Sequence, residues 1–183
     1  MRLPLLLWCA CSCACSGTSI GSIGDHRVEV ATVAGALHAA TELDPIAAVD
    51  LILTDDPAFP CENVAHVRPA AARSLALRLF SLDGGVAVAP TAAGTYVLAH
   101  PVGDPLPDGQ YGFALYVESD PLCRIFAGNA IEAHDGTVTL TQVSPVPGGA
   151  VAGRFDLTLL STDHLAGSFA TRLCGQADGG PCR

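Results

Sequence analysis

Gly17-Thr18-Ser19-Ile20-Gly21 has the G-x-S-x-G spacing of a hydrolase nucleophile. That chemistry needs a strand-to-helix elbow that exposes the serine hydroxyl. Here the match lies in a Gly/Ser-rich stretch ahead of any strand or helix pattern, so it reads as a coincidence of composition. The six histidines, His26, His38, His66, His100, His134 and His164, show no H-E-x-x-H and no H-x-H that would place two rings on one face. Asp55-Asp56 before Pro57 lacks the D-x-D-x-D-G spacing of a calcium loop and fits ordinary turn chemistry. Glu118 and Asp120 are the nearest carboxylate pair for glycoside hydrolysis, but they straddle a strand end before Pro121. All nine basic residues are Arg, so Schiff-base and S-x-x-K mechanisms are excluded. No catalytic, metal or cofactor site is expected from these residues.

Cysteine is the residue type whose pattern does point to chemistry. Leu3 to Cys15 is an apolar stretch behind Met1-Arg2. Thirteen residues of helix cover about 20 Å, too little for a hydrocarbon core of roughly 30 Å. Residues 1–15 therefore read as a secretory signal peptide. Within it Cys9, Cys11, Cys13 and Cys15 alternate with other residues. A lipoprotein leader ends in a small residue followed by the cysteine that receives diacylglycerol. Cys15 is the preferred acceptor because it keeps the longest apolar region; Cys11 and Cys13 are next, and Cys9 follows the bulky Trp8. A cut at Ala14-Cys15-Ser16 for plain secretion is the alternative. Strict C-x-C spacing in a leader is a poor match to a metal cluster. Cys61, Cys123, Cys174 and Cys182 form an even set in the exported portion and are candidates for two disulfides. Of the three possible pairings, Cys61–Cys123 with Cys174–Cys182 is favoured because the latter closes a short loop.

The elements that must carry these residues are strands. The chain has 183 residues with 50% hydrophobic and 15% charged, enough apolar content for a core and a length that suits one domain. Its net charge of −9 argues against nucleic-acid partners, because phosphate binding needs clustered cations. Residues 16–26 read as a flexible Gly/Ser tether, and 27–183 as a single β-sandwich domain. Alternating runs separated by turn signals predict strands at Val28–Leu37, Val49–Leu53, Leu75–Phe80, Thr95–His100, Tyr111–Val117, Ile125–Glu132 and Thr137–Thr141. Tyr111, Phe113, Leu115 and Val117 are expected on one face, and Asp135-Gly136 signals a hairpin. In the last hairpin a three-residue loop, Thr162-Asp163-His164, would pair Leu157 with Phe169 and place Phe155 and Phe169 on one side. No amphipathic helix is convincing. The expected class is all-β, an antiparallel sandwich of about nine strands, with a β-barrel as the alternative.

Three C-terminal stretches carry a resemblance: GTVTLTQV (Gly136 to Val143), AGRFDLTL (Ala152 to Leu159) and LAGSFATRLC (Leu165 to Cys174). TVAGAL (Thr32 to Leu37) and Cys61 after LTDDPAFP add to it. The chain resembles uncharacterised exported proteins and lipoproteins of high-GC Gram-negative bacteria, which pair a GTVTLT strand with a GxFDLTL…GSFxxxxC terminal hairpin. The resemblance implies compartment and fold and no activity. The expectation is an exported envelope protein of the outer membrane or periplasm, anchored in the membrane by lipid, with a binding or structural role and an unidentified protein or small-molecule partner. Plain secretion is the alternative location. A hydrolase with a loop-built site, or a barrel binding a small apolar ligand, are the alternative functions.

Overall fold

The computed structural model describes residues 16–23, 26–59, 64, 71–99, 105–122 and 124–174, with 16–20, 26 and 126–128 as backbone only. Eleven strands form: β1 (Ser16–Ile23), β2 (His26–Val28), β3 (Thr32–His38), β4 (Ala48–Thr54), β5 (Arg73–Asp83), β6 (Val86–Val88), β7 (Gly94–Leu98), β8 (Gly109–Ser119), β9 (Ile125–Val143), β10 (Ala150–Leu159) and β11 (His164–Cys174). Among the described residues there is no α-helix.

Hydrogen bonding runs β10-β9-β7-β8-β5-β4-β3-β11, and β11 returns to β10, so eight strands close on themselves. Of the two all-β architectures that the sequence allows, the barrel is the one formed, and the sandwich is not. Eight strands enclose a space that side chains can fill. Leu51, Leu53, Leu75, Leu77, Leu79, Tyr96, Tyr116, Leu140, Phe155, Leu157 and Phe169 are among the residues that fill it. Two pairings are parallel, β7 with β8 and β11 with β3, so the sheet is mixed. β1, β2 and β6 lie outside the closed ring.

Several local expectations are corrected. The segment read as a tether begins with β1, whose Ser16 to Gly21 pair with Ala170 to Leu165 of β11. Its Gly and Ser residues let it lie close against β11: a Cβ at Gly21 would press on Leu165. The single strand expected over Val28–Leu37 divides into β2 and β3. Asp135-Gly136 makes no hairpin but a bulge inside the 19-residue β9. Thr158 faces Asp135 and Leu159 faces Ala133, leaving His134 as the extra residue. Gly136 holds φ at +126°, and a Cβ there would overlap the Asp156 carbonyl oxygen. The bend lets β9 leave β8 and continue along β7.

In β8 Tyr111 and Phe113 share one face as expected, and that face is the outer one. Ala114 and Tyr116 join the interior, whereas Tyr111 packs outside with Phe80, and Phe113 lies against that outer cluster. The last hairpin has a three-residue loop as expected, but at 160–162. Leu159 N–H donates to the Asp163 carbonyl, and Leu157 pairs with Leu165. A two-residue displacement keeps the parity, so Phe155 and Phe169 still share the interior. The repeated Ala-Gly-x-Phe segments face each other, Gly153 opposite Phe169 and Phe155 opposite Gly167. The Phe169 ring lies against Gly153, where a Cβ would crowd it.

Candidate functional site

The outer face of β3, β4, β5 and β8 carries the densest polar cluster of the described residues. β-strand alternation turns Ala36, Asp50, Arg78 and Phe113 to the same outer row, because Ala36 pairs Asp50, Asp50 pairs Arg78 and Arg78 pairs Phe113. Arg78 donates from Nε to Asp50 Oδ1 at 2.8 Å and from Nη2 to Oδ2 at 2.9 Å, a bidentate fork. Its Nη1 donates to Asp44 Oδ2 at 2.6 Å. Asp44 lies in the 39–47 connection, where Ile46 N–H also donates to its Oδ1. His38 closes the group with Nδ1 3.4 Å from Arg78 Nη2. Its Nε2 lies 3.1 Å from Asp44 Oδ2, but off the hydrogen-bond direction, and is buried with no hydrogen-bond partner.

Asp50 is only 8% exposed, so the arginine is what makes its charge tolerable there. The Asp50 hydrogen bond, acting against burial and helped by Asp44, keeps the Arg78 guanidinium protonated above its ordinary range. Partial burial works to raise the Asp44 carboxyl, but the Arg78 hydrogen bond and charge, the Ile46 N–H and His38 outweigh it. Asp44 therefore titrates below its usual 3.8. Chemically the quartet is a clasp that ties 39–47 to the barrel wall. Both Asp50 oxygens are taken by the guanidinium and His38 Nδ1 faces it, so no general base with a nucleophile beside it is presented. Next to the clasp, Ile52, Ala76, Phe113 and Leu115 line an open groove of about 280 Å³, with Glu132 at its margin.

The residues singled out from sequence fare as follows. Cys11, Cys13 and Cys15, and likewise Cys61, Cys123 and Cys182, lie outside the described residues. Cys174 ends β11 and packs against the outer cluster of Ile52, Phe59 and Val64. The G-x-S-x-G match is in β1, with no strand-to-helix elbow. Asp56 accepts Ala58 N–H in a local turn, and Asp55 accepts Arg73 N–H. Glu118 accepts the Tyr116 hydroxyl at 2.7 Å and lies 3.4 Å from Arg73. Asp120 is bound to Arg124 and to Leu122 N–H, which hold its carboxyl below the usual range. The two carboxylates are thus individually paired rather than poised across a substrate. His164 and Asp156 form an exposed pair at 2.8 Å. Among the described residues no group of three or more His, Cys, Asp or Glu is placed to hold a metal.

The clasp itself was missed. Its signal is present in the sequence: Asp50 interrupts Val49–Leu53, and Arg78 interrupts Leu75–Phe80, each a lone charge in an apolar strand.

Compared with known proteins, the chain matches no family model, no curated protein and no solved structure.

Proposed function

We propose that the protein is an exported, lipid-anchored β-barrel of the bacterial cell envelope whose role is binding or structural. The observation that carries this reading is the leader pattern itself: Leu3 to Cys15 is a short apolar stretch behind Met1-Arg2, and Cys11, Cys13 and Cys15 each follow a small residue. A triacylated cysteine holds a protein firmly, at roughly 0.8 kcal/mol per buried CH₂. The even set of Cys61, Cys123, Cys174 and Cys182 fits an oxidising compartment. The interior is occupied by its own side chains, so this reading looks for a ligand or partner on the outer surface.

The test is the intact mass of the mature protein extracted from its native membrane, with and without reductant. A diacyl or triacyl adduct on a chain starting at Cys15, Cys13 or Cys11 is the expected result, with a reduction shift of about 4 Da for two disulfides. An unmodified chain starting near Gly17 overturns the anchor and leaves a secreted domain.

A further inference from the structure

The closed ring has a short seam between β11 and β3. On one side β3 pairs with β4 along its whole length, from Thr32 to His38. On the other it pairs with β11 only through Gly35 with Leu173 and Ala36 with Cys174. Just before that point the Thr171 hydroxyl donates to the Val33 carbonyl at 3.0 Å, a side chain standing in where the backbone pairing ends. Earlier in β11 the neighbour is a different strand: Leu165 to Ala170 pair with Gly21 to Ser16 of β1. β2 pairs back on β1, with Val28 opposite Gly21, and with no other described strand. Where β11 and β3 part, the β1–β2 ribbon covers the core, with Val28 in it and Ile23 and Val30 packed against it.

Backbone pairing does most of the holding. Gly17 lies opposite Phe169 and Gly21 opposite Leu165, both interior residues, so at these two places β1 adds no side chain to the core. A Cβ at Gly21 would press on Leu165 and on the His164 carbonyl oxygen, which leaves no room for one. From β2 only Val28 is described in the core. β10, for comparison, places Val151, Phe155, Leu157 and Leu159 there. A segment with few buried apolar side chains opens at lower free energy than the unit it rests on. We propose that the β1–β2 ribbon is a strap that lifts off the edge of β11 while the barrel stays folded. The ring keeps its closure without it: β11 remains paired with β10 from His164 to Arg172, and Thr171, Leu173 and Cys174 hold the seam with β3. Lifting the strap bares one side of β11, and the core around Val28, to water.

Strand geometry gives the strap a signature, because successive amides of a strand point to opposite sides. Leu173 N–H donates to the Gly149 carbonyl, on the β10 side. By alternation through the unbroken β10–β11 register, the amides of Leu165, Gly167 and Phe169 face β10, and those of Ala166, Ser168 and Ala170 face β1. The experiment is residue-resolved native-state hydrogen exchange of the full-length protein, under conditions where the rates report opening equilibria. Ala166, Ser168 and Ala170 are expected to exchange at least about a hundredfold faster than Leu165, Gly167 and Phe169. Uniform protection across the six overturns the strap. Ile52→Ala weakens the barrel in a cluster to which neither strand of the ribbon contributes. It is expected to speed the β10-facing amides more than about tenfold and to leave the β1-facing ones unchanged. Equal acceleration of both sets means that the ribbon opens only with the barrel, and sinks the proposal. Gly21→Ala, which crowds Leu165, is expected to speed the β1-facing set about tenfold. No change there counts against β1 as the cover.

Discussion

The two sides of the barrel share one interior but differ in what covers them outside. Along β3, β4, β5 and β8 much of the outer face is covered too: all seven residues of β4 are buried, Phe59 and Val64 cover Ile52, and Phe80 stacks with Tyr111 and Phe113. Along β9, β10 and β11 the outer face meets water, and Thr139, Thr141, Arg154 and Asp156 alternate with buried Val138, Leu140, Phe155 and Leu157. A closed barrel satisfies its inner face with one core, whereas its outer face must be covered locally or made polar. The clasp sits on the covered side, where a charge needs a partner.

Substitution pairs break this comparison most directly. Arg78→Ala leaves the Asp50 charge buried without its fork and is expected to lower stability by about 3 kcal/mol. Arg154→Ala, on the wet side, is expected to change it by less than about 0.5 kcal/mol. Urea unfolding midpoints check both, and similar losses in the two variants would remove the distinction. Next in size, Ile52→Ala on the covered wall is expected to cost about 2.5 kcal/mol, against almost nothing for Thr139→Ala on the exposed one. Thermal melts of the two variants suffice here.

Gly136→Ala tests the wet side by a different route. Its positive φ and the overlap with the Asp156 carbonyl predict a loss of about 2 kcal/mol, although the position is far from any buried charge. A neutral result would mean that the bulge relaxes without strain.

The smallest effect is acid sensitivity of the clasp. The Asp44 carboxyl titrates lower in the folded state than in the unfolded chain, so its contribution is present above pH 3.8 and is lost as pH falls through the lowered folded value. Wild-type protein is expected to lose slightly more stability below about pH 4 than Asp44→Asn does. Parallel acid titrations of the two proteins, followed by circular dichroism, read that difference. Coincident curves would remove Asp44 from the clasp.

Legibility followed the same division. The wet strands could be read closely, because one face is apolar and the other polar: Thr137–Thr141 and the Phe155/Phe169 parity came directly from alternation. In β8 alternation placed Tyr111 and Phe113 on one face but, because both faces are apolar, could not say that this face belongs to the outer cluster rather than the interior. Asp135-Gly136 carries a turn signal that only neighbouring strands could convert into a bulge. Of the site, Asp50 and Arg78 were visible as isolated charges in apolar runs, but their meeting depends on the pairing of β4 with β5.

What the residues determine by themselves is local: strand-forming alternation, the absence of convincing helix, and glycines where bends are needed. Closure of the ring was decided only in three dimensions. It depends on β11 meeting β3 in a short parallel pairing and on β9 changing partners at its bulge. Contacts between segments so far apart in sequence leave no periodic trace, because each strand shows the same alternation whether it lines a barrel or a sandwich.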